Sequence, residues 1–238
     1  MTAPSDGLVR IAAVGDIHVG CDEPEPPCMQ VDADVLLVAG DLTRHGTVAE
    51  AGCVAEVLAN SGAPAIAVLG NHDHHDGRPD EVRACLESRG VTVLEQESTV
   101  LDVRGRTVGI VGAKGFGGGF AGACASEFGE QEMKDFVAHT RHIASGISDR
   151  LDALEADVRI VLLHYSPVEE TLGSEPKEIY PFLGSYLLAE AIDHHGGADL
   201  VLHGHAHRGS ERGRTPGGAR VRNVARPVLR RSHACFEL

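Results

Sequence analysis

Apolar residues in this chain gather in short unbroken runs, at residues 11–14, 35–39, 65–69, 160–163 and 200–202. Runs of this length, rich in Val, Ile and Leu and apolar at consecutive positions, read as strands buried on both faces. Between them the pattern changes. Residues 47–60 and 77–90 read as helices, the second with Pro79 near its start. Residues 91–94, 99–103 and 107–112 read as shorter strands that begin a second sheet, two of them joined by a turn at Arg104-Gly105. Residues 129–155 have helix-forming composition broken near Gly146, and residues 186–194 read as another helix. A last strand is expected near residues 235–238. Strands interleaved with helices predict an α/β fold with helices outside two facing sheets.

A polar cluster follows each of the five runs. The clusters are Gly15-Asp16-Ile17-His18, Gly40-Asp41, Gly70-Asn71-His72-Asp73, His164 and Gly204-His205-Ala206-His207. All five stand at the C-terminal ends of strands, the edge where open α/β sheets collect ligands. Any one alone is a common turn. Together they offer Asp16, His18, Asp41, Asn71, His164, His205 and His207, enough oxygen and nitrogen donors for two divalent metals sharing one carboxylate. A metal pair clamps a phosphoryl group and activates water against it, so the set points to hydrolysis of a phosphate ester. No donor is a thiolate, which suits Mn, Fe, Zn or Co. Asn71 is a neutral amide, tolerable as a ligand where carboxylates already supply the charge. His72 beside it suits a general acid for the leaving oxygen, and Asp73 is expected to orient His72.

The ordered set Asp-x-His, Gly-Asp, Gly-Asn-His-Asp, His, Gly-His-x-His resembles the calcineurin-like metallophosphoesterase superfamily, over residues 15–207. The resemblance implies a four-layer α-β-β-α sandwich of two facing mixed sheets flanked by helices, in one domain spanning residues 1–238. It implies that Asp16, His18 and His207 hold one metal and Asn71, His164 and His205 the other. Asp41 would bridge them, and His72 would act on the leaving group. Mn or Fe is favoured, and Asn71 and His72 would also touch substrate. One departure matters. The phosphoprotein phosphatase branch continues its Gly-Asp block as Val-Asp-Arg-Gly, with the Arg on phosphate. This chain reads Gly40-Asp41-Leu42-Thr43-Arg44-His45-Gly46. His45 stands at the Arg position, which argues against a protein phosphatase and makes His45 a candidate substrate contact.

Composition narrows the substrate. A formal charge of −14 argues against a general nucleic-acid surface. Residues 208–231 run the other way, with eight Arg against one acid. They read as a hairpin turned at Thr215-Pro216-Gly217-Gly218, either a solvated strand pair or a basic rim for an anionic ester. Residues 112–122 hold six Gly and two of the six Phe. This segment, within a lid or insertion region at 112–150, is either a flexible connection or a pocket wall beside the metals. Six cysteines show no Cys-x-x-Cys pair, and Cys21 and Cys28 could close a small loop. The first seven residues carry no signal-peptide pattern, and no apolar run is long enough for a membrane span; a cytoplasmic protein is expected. A small soluble phosphodiester is the leading substrate, with a phosphomonoester and a nuclease substrate as alternatives. A non-catalytic scaffold is disfavoured because no ligand is missing.

Overall fold

A computed structural model describes residues 7–21, 29–194 and 196–238. The apolar runs become strands of two sheets. In chain order the strands are β1 (Arg10–Val14), β2 (Val35–Ala39), β3 (Ala65–Val68), β4 (Thr92–Val93), β5 (Glu97–Val103), β6 (Arg106–Ala113), β7 (Gly119–Phe120), β8 (Ala123–Cys124), β9 (Val158–Leu163), β10 (Leu200–His203), β11 (Arg212–Arg214), β12 (Arg220–Asn223) and β13 (Ala234–Glu237). The helices are α1 (Val48–Ala59), α2 (Pro79–Glu87), α3 (Gln131–Asp152), α4 (Tyr180–Leu183), α5 (Tyr186–Asp193) and α6 (Arg226–Leu229). One sheet has the order β13-β1-β2-β3-β4, the other β11-β12-β10-β9-β6-β5, and each mixes parallel with antiparallel pairs.

Alternation within the strands builds three apolar layers. Ile11, Ala13, Val35, Leu37, Ile66 and Val68 face Val108, Ile110, Ile160, Leu162, Leu200 and Leu202 of the other sheet. The opposite faces are also apolar, which is why the runs lack a polar alternation. Val14, Leu36 and Val38 pack under Val54 and Leu58 of α1 and Val82 and Leu86 of α2. Val111, Val161 and Val201 pack under Ile143 and Ile147 of α3 and Leu188 and Ile192 of α5. The result is the expected four layers.

Several local expectations need correction. α3 runs unbroken through Gly146, where a Cβ would meet the far end of the Gln96 side chain. β4 joins the first sheet beside β3, not the second. The Arg-rich stretch is a hairpin only over its middle, where β11 and β12 pair Arg212 with Arg222 and Arg214 with Arg220. Residues 226–229 form α6. The Gly-rich segment is held down at two points, Gly118 N–H to Pro181 O and Gly119 N–H to Gly184 O, both at 2.7 Å. Phe120 is buried among Leu172, Tyr180, Leu183 and Ala206. The proposed Cys21–Cys28 loop, the first six residues and His195 lie outside the described residues. Cys21 Sγ lies 2.9 Å from Cys53 Sγ. No helix of the described residues is long and apolar enough to cross a membrane.

Candidate metal centre

The strand ends converge at one edge of the sandwich. β1, β2 and β3 deliver Asp16, His18, Asp41, Asn71 and His72; β9 and β10 deliver His164, His205 and His207. Backbone bonds tie the loops together, with Asp16 N–H on Gly40 O at 3.0 Å and His18 N–H on Asp41 O at 3.1 Å. The glycines before the polar residues have a steric reason. A Cβ on Gly70 would strike the Asp41 carboxylate, one on Gly204 would strike the Asp16 carboxylate, and one on Gly40 would meet the His164 ring at 2.6 Å. Asp16, His18, Asp41 and His205 all adopt left-handed backbone, with φ of 57°, 47°, 50° and 68°. Non-glycine residues rarely sit there, and such strain collects at functional sites.

Three groups of donor atoms result: Asp16, His18 and His207; His18, Asp41 and His72; Asp41, His164 and His205. Asp41 joins the second group to the third. Its Oδ2 lies 3.7 Å from His18 Nε2 and its Oδ1 3.3 Å from His164 Nε2. The Asn71 amide belongs with the third group, its Oδ1 lying 2.9 Å from His164 Nε2.

The donors fit cations. His164 Nδ1 is 2.9 Å from Ala39 O, so it carries the proton and donates. That leaves the Nε2 lone pair facing the Asn71 and Asp41 oxygens, an arrangement of acceptors that a metal between them resolves. His205 repeats the logic with Nε2 donating to Phe182 O at 3.0 Å, which frees Nδ1. His18 Nε2 is buried with no hydrogen-bond partner. Burial pushes the imidazoles of His18 and His205 below their ordinary range, His205 to about 4, so both are neutral donors at pH 7. Burial raises the Asp16 carboxyl, but the His207 bond at 2.8 Å and the His205 N–H help to outweigh it and hold it low. The same bond to Asp16 raises His207.

His72 stands beside this set. Its Nδ1 is fixed by Arg44 O at 2.7 Å, and its Nε2 lies 4.0 Å from Asp41 Oδ2. Asp73 does not orient that ring. Its buried carboxylate accepts from Leu42 N, Gly70 N, Thr43 N and Thr43 Oγ1, so it clamps the Asp41 loop to the Asn71 loop. His45 also lies apart from the donor groups. Its ring bonds Glu50 Oε1 at 2.9 Å over the capping box at the start of α1. His203 is buried under the site, bonded to Gly204 O and Thr171 Oγ1. Sequence reasoning missed Tyr165, whose ring centroid lies 4.4 Å from that of His205. The only signal for it was its place directly after His164.

Comparison with known proteins identifies the family and the fold. The family model for calcineurin-like phosphoesterases matches residues 9–209. No curated protein matches the sequence. Among solved structures, phosphopantetheinyl hydrolase from Mycobacterium tuberculosis superposes with a TM-score of 0.68 at 18% identity, over 96% of this chain and 95% of that one. TT1561 of Thermus thermophilus superposes with a TM-score of 0.54 at 15% identity, over 98% and 99%. At these identities the likeness is one of fold.

Proposed function

Because the chain belongs to the calcineurin-like phosphoesterase family, and is therefore a metal-dependent phosphoric ester hydrolase, we propose that it cleaves a small soluble phosphodiester. Asp16, His18 and His207 would hold one metal, Asn71, His164 and His205 the other, and Asp41 would bridge. The observation that carries this reading is the Asp41 carboxylate, placed between His18 on one side and the His164 and His205 pair on the other. Two such metals supply positive charge to the phosphoryl oxygens and acidify a water molecule. The nitrogen and oxygen donor set favours Mn or Fe, with Zn and Co as alternatives.

The remaining chemistry belongs to the chain. His72 presents Nε2 to the centre while Arg44 O holds Nδ1–H, so a protonated ring delivers its proton from Nε2 to the departing oxygen. Asp73 keeps the two ligand loops in register. The chain's formal charge of −14 supports a small substrate over nucleic acid. The fold likeness to a phosphopantetheinyl hydrolase adds phosphopantetheinyl esters to the substrates to be tried.

The test is a hydrolysis screen with Mn-loaded protein. Bis-p-nitrophenyl phosphate should turn over well above the metal-free background and faster than p-nitrophenyl phosphate. Cyclic nucleotides, a phosphopantetheinyl ester and single-stranded DNA complete the panel, and the DNA should stay intact. Two bound metals with no turnover of any ester would leave the scaffold reading standing.

A further inference from the structure

We infer that Lys114 and the cavity it lines form a subsite for an anionic group on the non-reacting arm of the substrate, one aromatic ring away from the candidate metal centre. Lys114 directly follows β6. Its carbonyl accepts the N–H of His164 and of Tyr165, both at 3.0 Å, and its own N–H donates to Glu95 Oε2 at 3.1 Å. The backbone is therefore pinned beside a candidate ligand. The ammonium lies 5.1 Å from the Phe116 ring centroid and 5.6 Å from that of Tyr165, and Tyr165 in turn packs on His205. Among the described residues no carboxylate lies within 4.0 Å of it.

A largely buried ammonium with no carboxylate in ion-pair contact is costly, and ring faces and the more distant Glu95 compensate for only part of that cost. Burial accordingly pulls the Lys114 ammonium below the usual lysine range, against the pull of Glu95 and Asp41. Other cavity groups do not satisfy it. Arg83, the other basic group there, is already spent on Glu87, Glu97 and the Val93 carbonyl. Glu95 gives Oε2 to the Lys114 backbone. His74 Nε2, on the same cavity, is buried without any partner. The cavity measures about 370 Å³, room for a phosphate- or carboxylate-bearing fragment. A buried polar group left unpaired within the protein points to a bound water, ion or ligand group.

The inference rests on the phosphoesterase reading for the kind of molecule bound, yet its test does not. Inorganic phosphate is titrated calorimetrically into metal-free protein. Wild type should bind it, and Lys114→Met should bind it about 10- to 100-fold more weakly, the scale of a lost hydrogen bond to a charged group. Lys114→Arg should restore most of the affinity, and Arg83→Met should leave it unchanged. Failure of wild type to bind, or equal affinity in folded Lys114→Met, overturns the inference. Bis-p-nitrophenyl phosphate carries no second anion, so its turnover by loaded wild type decides the phosphoesterase reading independently.

Discussion

Asp41 belongs to two of the three donor groups and is the proposed bridge between the halves of the centre. Replacing it with Asn would keep the shape and remove the charge between the two proposed cations, which would then repel with less between them. Asp41→Asn should abolish turnover and lower metal content, read by mass spectrometry; full activity with two metals would remove the bridge from the mechanism. His72 predicts a different pattern. An alkoxide needs a proton on departure, and p-nitrophenolate hardly does. His72→Ala should therefore cost about 10²–10⁴-fold in kcat/KM on an alkyl ester and much less on a p-nitrophenyl ester, with both metals retained. Equal losses on both esters would assign His72 to the phosphoryl group. The donors were legible because each is a rare chemical type following a strand, and most follow a glycine. Their anchors were not, because Ala39, Arg44 and Phe182 act through backbone carbonyls that every residue carries. Asp73 was misread for a related reason. It follows His72 in sequence, but consecutive side chains in a helical turn diverge.

Among the elements, the Gly-rich connection after β6 was the hardest to read. Its composition suggested motion, whereas its glycines serve close approach; a Cβ on Gly119 would run into the Ala123 backbone. Its two aromatic residues have separate tasks. Phe120 is buried against Tyr180 at a 6.2 Å centroid distance, so Phe120→Ala should cost about 3–5 kcal/mol in denaturant unfolding. Phe116 packs on Tyr165, His139 and Phe136 beside the Lys114 cavity. Phe116→Ala should therefore shift the ratio of turnover between large and small esters; an unchanged ratio would make it packing alone.

The layered architecture was legible throughout, because apolar runs without alternation require cover on both faces. Strand order was not, as no local pattern records which runs become neighbours. The two sheets meet at the site, which takes Asp16, His18, Asp41 and Asn71 from one and His164, His205 and His207 from the other. Metal ions held across that seam, as proposed, would bind only the docked pair, and free metal at 100–1,000 times its dissociation constant would stabilise by about 3–4 kcal/mol. Chelation should lower the melting temperature and abolish turnover, both reversibly; an unchanged melting temperature would mean that the metals do not join the sheets. The topology also has a consequence in time. β13 pairs with β1, Arg10 opposite Glu237 and Ala13 opposite Ala234, so β1 gains this neighbour only after the whole stretch between them has been synthesised. At ribosomal speed the interval is on the order of 10–40 s. Throughout it, the outer edge of an apolar strand stays open to any other chain that offers one.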